Sequence, residues 1–414
     1  MGPVRIAAVR GGCALAFAVV SLAAPVRAEA VPEVAGVRAV PIEDPSGKAL
    51  SAFFASLDRT RARKGRAVTR VAHYGDSLIV GDLITRTLRR LYQERYGDGG
   101  PGFILAGRPW PWYRRQGIRH GATDGWITQR VLKGALRDRM YGYGGVSFAT
   151  RRRDRRVWYT TTEDNGRPIR ISRIDVHYLA QPGGGDLDVL VDDEHIITLG
   201  TDGATRGSAF HELRVRDAPH KVVLRTAGGG EVRLFGVALE RAGPGVVYDS
   251  LGINGACATS LGRMNQEHLT RQFAHREPSL IVTMFGANES NRPALVRAYR
   301  QSLLPVLQRL REAAPEASCL VMSPMDRGQR RDDRPVRTNP RIPRIVEAQR
   351  DVAFEAGCAF YDTYTAMGGN LSIYRWSRRG LASGDLTHPT PEGGAIVGGG
   401  LFTALEEAYA ASRR

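Results

Sequence analysis

Val68-Thr69-Arg70-Val71-Ala72-His73-Tyr74-Gly75-Asp76-Ser77-Leu78 is the stretch on which the fold turns. Val68 to Tyr74 is a short apolar run with β-branched content, which reads as a strand, and Gly75-Asp76-Ser77 breaks it. From Ile79 to Arg95 the period changes to a helical one, with Leu83, Ile84, Leu88 and Leu91 on one face. The same alternation returns after Gly243. Strands are predicted at Val246–Ser250, Leu280–Phe285, Cys319–Pro324 and Cys358–Asp362, and helices at Ser260–Ala274, Pro293–Ala313, Ile342–Ala356 and Pro391–Ala411. Strand and helix taking turns implies an α/β fold, a parallel sheet covered by helices on both faces. Ahead of it, Ala52 to Arg61 reads as a short helix.

Between Arg108 and Gly243 the texture differs. Short β-rich runs are predicted at Val146–Ala149, Val157–Thr162, Ile169–Ala180, Leu187–Val191, Glu194–Leu199, Lys221–Thr226 and Val232–Glu240. Clusters such as Gly183-Gly184-Gly185-Asp186 and Gly228-Gly229-Gly230 separate them. Many short strands at close spacing suggest a β-sandwich or jelly roll. The α/β domain, residues 51–107 and 244–414, is therefore expected to be interrupted by a β-rich insert at 108–243.

Arg5 and Arg10 precede an apolar run, Cys13 to Ala24, and Val26-Arg27-Ala28 offers a small-x-small cleavage site. Residues 1–28 thus read as a secretory signal and 29–50 as a linker. The run is shorter than the ~20 residues a membrane span needs, an uncleaved N-terminal anchor being the alternative reading, and no later segment is apolar enough to cross a membrane, so no span is expected after cleavage. Formal net charge is +17, and +14 without residues 1–28. Only four of the 59 basic residues are lysine, so the excess is arginine spread along the chain. No nucleic-acid reader motif accompanies it, and nucleic acid is not an expected partner. The basic run Arg327–Arg344 reads as a solvated loop. Cys257, Cys319 and Cys358 remain after cleavage; buried free thiols are expected, with a Cys319–Cys358 bridge as the alternative in an oxidising compartment.

Open parallel sheets bind ligands beyond the carboxyl ends of their strands, and four features fall there. Ser77 opens a helix, whose N–H groups favour negative charge nearby. Asp385-Leu386-Thr387-His388 places an acid three residues before a histidine, close enough for the carboxylate to hold Nδ1–H while Nε2 faces a nucleophile. Gly255 and Asn288 each follow a strand, and could supply a backbone N–H and a side-chain amide to an oxyanion. Singly, each is also an ordinary turn or capping residue.

In the order Ser77, Gly255, Asn288, then Asp385-x-x-His388, these blocks resemble the SGNH/GDSL hydrolase superfamily over about residues 68–107 and 245–405. The resemblance implies a flavodoxin-like three-layer fold, Ser77, His388 and Asp385 as catalytic residues, and an oxyanion hole from Ser77, Gly255 and Asn288. Glu289 stands where the usual third block has Asp. Gly286-Ala287-Asn288-Glu289, His73-Tyr74-Gly75-Asp76-Ser77, Ala366-Met367-Gly368-Gly369 and the β-rich insert look like the peptidoglycan O-acetylesterases of bacterial envelopes, whose insert resembles a carbohydrate-binding module. The expected partner is then an O-acetylated polysaccharide, peptidoglycan in particular, met in the periplasm or cell envelope. Asp76, Glu289, His73 and Tyr74 are expected to support the site. No metal ligand spacing is seen, and neither metal nor cofactor is expected. Trp110, Trp112, Tyr113, Trp126, Trp158 and Tyr159 read first as insert core and second as sugar-stacking faces; no substrate-binding residue is assigned. The rival readings are an O-acetyltransferase with the same triad, a lipase or thioesterase, and a non-catalytic glycan-binding envelope protein.

Overall fold

Each predicted α/β strand forms in the computed structural model, which describes Gly2 and residues 38–414 except Lys64, Arg66, Asp332 and Asp333. The proposed signal segment lies outside the described residues, Gly2 apart. Five strands make the central sheet: β1 Val68–Gly75, β2 Gly245–Gly252, β3 Leu280–Met284, β4 Ser318–Met322 and β5 Ala359–Tyr361. Their order is β2-β1-β3-β4-β5, all parallel, the flavodoxin-like arrangement. Nearly every residue in them is buried, because helices cover both faces. The main helices are α1 Ser51–Arg61, α2 Ser77–Val80, α3 Leu83–Tyr96, α4 Gln266–Arg276, α5 Tyr299–Ala313, α6 Arg341–Glu355 and α7 Pro391–Ala411.

Three predicted helices are interrupted. The one read from Ile79 to Arg95 is two, α2 and α3, because Gly81-Asp82 intervenes and Asp82 adopts a left-handed backbone at φ 57°. The buried Asp82 carboxylate holds Arg89 at 2.7 Å and Arg115 at 3.3 Å, contacts that outweigh the local helical preference. Ser260–Ala274 divides at Asn265, whose side chain accepts from His268 N and caps α4. Pro293–Ala313 divides at Ala298. The segment 38–50, read as the end of a linker, lies along the sheet. Glu43 and Phe360 exchange backbone bonds of 2.9 and 2.8 Å, so this stretch covers the open edge of β5.

The insert is two antiparallel sheets whose buried faces share one hydrophobic cluster. One has the order Glu194–Gly200, Asp186–Val191, Lys221–Gly228, Arg156–Thr161, Ile118–Ala122. The other runs Gly207–Ala218, Ile171–Ala180, Val232–Glu240, Val146–Thr150, Ile127–Arg130. Gly102–Leu105, read as part of the α/β domain, pairs with Gly236–Leu239 and so belongs to this second sheet. The strand Gly207–Ala218 escapes a hydrophobicity reading because no residue in it is fully buried. A buried ion cluster joins the insert to the α/β body. Glu240 accepts from Arg70 at 3.0 Å, Arg173 at 2.9 Å and Arg276 at 2.7 Å, while Arg276 also holds Asp249 at 2.8 Å.

Cys319 and Cys358, expected as free thiols, are bridged. Cys319 lies in β4 and Cys358 directly precedes the adjacent β5, which brings their Cα atoms to 4.7 Å, within disulfide reach. Cys257 is a buried free thiol.

Candidate active site

The carboxyl end of the sheet brings three of the motif loops to one level. Gly75, the last residue of β1, is in register with Gly252 on one side and Met284 on the other. Ser77, Gly255 and Asn288 follow within five residues of these positions. Glycine is required at 75, where a Cβ would sit 2.3 Å from Ile79 Cγ1 and 2.9 Å from the Met284 carbonyl oxygen. Gly255 has φ 75°, the left-handed conformation that side chains resist, so the chain can turn sharply beside the serine. Asp76 caps the single turn of α2 by accepting from Leu78 N at 3.0 Å.

His388 arrives from the loop before α7. Its Nε2 is 2.8 Å from Ser77 Oγ, and its Nδ1 is 2.6 Å from Asp385 Oδ2. The structure thus brings Ser77, His388 and Asp385 into one hydrogen-bonded row. The other Asp385 oxygen accepts from the Ser383 hydroxyl and from the N–H groups of Thr387 and His388, at 2.9 and 3.1 Å. Partial burial works against ionisation, but these donors together with His388 hold the Asp385 carboxyl down at about 2. Leu386 takes a left-handed backbone, φ 55°, within this turn, a conformation that the surrounding bonds impose on a residue that disfavours it. The side chains of His388 and Asp385 are 41% and 49% exposed, so the row opens to solvent.

Asn288 sits opposite. Its Nδ2 donates to the Ala256 carbonyl at 3.0 Å and, more weakly, to Asp76 Oδ2 at 3.3 Å. Glu289 braces the loops that carry Gly255 and Asn288, accepting from Ala258 N at 2.8 Å and Gly286 N at 3.1 Å. Burial pushes the Asp76 carboxyl up to about 7; Leu78 N pulls the other way, Glu289 adds to the rise, and Arg327 and Asn288 oppose it. Burial also raises Glu289.

Of the other expected supports, neither His73 nor Tyr74 faces the row. His73 Nδ1 bonds Tyr248 hydroxyl at 2.9 Å inside the sheet-and-helix core, and Tyr74 hydroxyl donates to the Tyr143 carbonyl of the insert. Side chains on successive strand positions point to opposite faces, so sequence proximity to Ser77 misleads here. Arg327, read as part of a solvated loop, is half-buried; its charge faces Asp76 and Asp385, and it donates to the Ala287 carbonyl at 2.5 Å. The segment after it forms a hairpin, Gly328–Arg331 with Arg334–Thr338, and Gly328 N donates to Leu386 O at 2.8 Å. Leu132 of the insert lies 3.7 Å from where a Gly255 Cβ would be, so the insert walls the Gly255 loop. Neither Arg327 nor Leu132 carries a motif in sequence. Trp110, Tyr113 and Tyr159 are core, as read first, whereas Trp112 is 47% exposed.

Residues 204–396 match the GDSL-like lipase/acylhydrolase family, a span that holds Gly255, Asn288, Asp385 and His388 but not Ser77. No curated protein matches the sequence. Among solved structures, one described as a peptidoglycan O-acetylesterase in action superposes with a TM-score of 0.73 at 20% identity, covering 89% of this chain and 99% of that one. A family two carbohydrate esterase from Cellvibrio japonicus aligns with a TM-score of 0.29 at 11% identity, over 74% and 98% of the two chains. The chain therefore has the SGNH hydrolase fold with an inserted β domain, and it resembles the GDSL-like acylhydrolases in sequence and a peptidoglycan O-acetylesterase in architecture.

Proposed function

We propose that this chain is an exported serine esterase that removes O-acetyl groups from a cell-envelope polysaccharide, peptidoglycan above all. The observation that carries the reading is the row Ser77 Oγ–His388 Nε2 at 2.8 Å and His388 Nδ1–Asp385 Oδ2 at 2.6 Å, beside the Asn288 amide. His388 Nε2 takes the Ser77 proton as Oγ attacks the acetyl carbonyl, and Asp385 stabilises the imidazolium. The oxyanion is met by the N–H groups of Ser77 and Gly255 and by Asn288 Nδ2. The hydrogen of Asn288 on the long 3.3 Å contact to Asp76 is the one that can turn to it. His388 then gives its proton to the sugar oxygen as the C–O bond breaks, leaving acetyl-Ser77. Water, deprotonated by the same nitrogen, releases acetate and restores Ser77.

The partly exposed row favours an ester on the surface of a polymer over one that must be engulfed. Export is supported by the leader-like composition of residues 1–28 and by the Cys319–Cys358 bridge, which suits an oxidising compartment. The peptidoglycan assignment rests on the resemblance in architecture. Free acetate is to be measured on O-acetylated peptidoglycan, O-acetylated xylan and an aryl acetate, with Ser77→Ala as control. Release from peptidoglycan that Ser77→Ala abolishes is expected. Undiminished turnover of the aryl acetate by Ser77→Ala refutes the nucleophile, and turnover of xylan alone refutes the substrate.

A further inference from the structure

Away from the serine, Asp175, His177 and His275 converge where the insert meets α4. Asp175 and His177 stand on the insert strand Ile171–Ala180, and His275 on α4. Their ligand atoms, one carboxylate oxygen and two ring nitrogens, all lie within 4.8 Å of one another. His275 Nε2 is 2.7 Å and His177 Nε2 is 3.3 Å from Asp175 Oδ2. The Asp175 and His177 side chains are 1% and 0% exposed, and His275 is 26% exposed, so solvent reaches the cluster at His275. Asp175 Oδ1 and His177 Nε2 are buried without a hydrogen-bond partner.

The surrounding groups suit the form of His177 that can bind a metal. Gln272, fully buried on α4, donates through Nε2 to Ser208 Oγ at 3.1 Å, which turns its Oε1 toward His177 Nδ1 at 3.5 Å. A hydrogen on Nδ1 facing that oxygen leaves Nε2 with a lone pair free for a ligand. In that tautomer the lone pair faces the Asp175 carboxylate at 3.3 Å, and two acceptors in a dry place cost free energy unless a cation stands between them. A ring N–H held by an outer amide is also how a metal-bound histidine is oriented. A tetrahedral centre with bonds near 2.0 Å keeps its ligands about 3.3 Å apart; the Asp175–His177 spacing matches this, the Asp175–His275 spacing is about 0.6 Å shorter, and the two ring nitrogens lie within 4.8 Å of each other, so small shifts close the set. His275 stacks on Phe210, their ring centroids 3.7 Å apart.

We propose that Asp175, His177 and His275 bind one divalent transition-metal ion of the zinc class, with water as fourth ligand, and that this ion ties the insert to α4. On binding, His177 gives its Nε2 lone pair, and His275 does the same after its hydrogen moves to Nδ1, so both rings stay neutral. The three residues come from segments 100 positions apart, which is why no ligand spacing shows in the sequence.

The test uses the tag-free full chain, stripped with chelator and titrated with Co²⁺ and then Zn²⁺. One equivalent of Co²⁺ with visible d–d absorption, displaced by Zn²⁺ and raising the thermal midpoint, is expected. His275→Ala should lose this binding. Gln272→Leu, which keeps the volume and removes the acceptor, should weaken it by about 10- to 100-fold. His195→Ala, at a surface His–Asp pair, should leave it intact. Absence of saturable binding at one equivalent overturns the proposal and leaves a proton-shared His–Asp–His cluster. Binding that survives in a His275→Ala protein with parental circular dichroism overturns it too. Should His275→Ala not fold, Gln272→Leu decides the matter: an affinity equal to the parent's in that folded variant overturns the proposal.

Discussion

Replacing Asn288 by alanine should separate the oxyanion donor from the rest of the machinery. The substitution leaves the Ser77–His388–Asp385 row untouched and removes one Nδ2 that donates to Ala256 O at 3.0 Å and faces Asp76 at 3.3 Å. A fixed donor aimed at a developing oxyanion contributes on the order of 10²–10³ in kcat, about 2.7–4 kcal/mol. The folded state gives up one good hydrogen bond and one weak one at a half-buried position, about 1 kcal/mol. The expected result is a large fall in kcat with little change in KM and a small shift in the urea midpoint. Asn288→Asp keeps the shape but sets a carboxylate against Asp76. Two unit charges 3.3 Å apart repel by about 5 kcal/mol at an effective dielectric of 20. One of the pair must then hold its proton, and that variant should lose at least as much activity as the alanine and destabilise as pH rises. Steady-state hydrolysis of an aryl acetate measures the first effect, and urea unfolding at several pH values the second. An Asn288→Ala protein with kcat within about fivefold of the parent would refute the amide as an oxyanion donor.

Three further outcomes follow from the same geometry. Asp385→Asn sets an amide beside His388 Nδ1 and favours the tautomer with hydrogen on Nε2, so kcat should fall by about 10³–10⁴, toward the smaller figure because water reaches the pair; a variant keeping a tenth of parental kcat contradicts the role of Asp385. Cys319→Ser opens a 39-residue link and should lower unfolding free energy by about 4 kcal/mol on the chain-entropy account; an unchanged denaturant midpoint in non-reducing buffer counts against the bridge. For Asp76, both states are protonated below the ordinary value of 3.8, and between there and about 7 only the unfolded state ionises. Stability therefore declines as pH rises through that window, by at most about 4 kcal/mol. Asp76→Asn should flatten the decline, and equal slopes for the two proteins would show that Asp76 titrates normally.

Much of the candidate site was legible because its residues lie in short motifs at strand ends. Ser77, Gly255, Asn288, Asp385 and His388 could each be picked out; Ser77, His388 and Asp385 form one hydrogen-bonded row, and Asn288 bonds the Ala256 carbonyl and Asp76. What stayed hidden has in each case a physical cause. His73 and Tyr74 sit beside the serine in sequence, but the strand pleat sends them to opposite faces, one to Tyr248 and the other to Tyr143. Arg327 was lost in a basic run, since only the docked hairpin shows that its charge faces Asp76 and Asp385. The break at Asp82 answers to Arg115, a residue 33 positions away.

The sequence alone determined the alternation of period that makes a parallel sheet, the position of the β-rich insert and the residue types at the sheet's carboxyl end. These are local properties: side-chain periodicity, turn chemistry and motif order are written within a dozen residues. Only the tertiary structure decided that Gly102–Leu105 joins the insert, that Cys319 and Cys358 meet, that Leu132 walls the Gly255 loop, and that Asp175, His177 and His275 gather at one seam. Each of these is a contact between distant segments, set by how two sheets and a helix pack, and packing has no period to read along the chain.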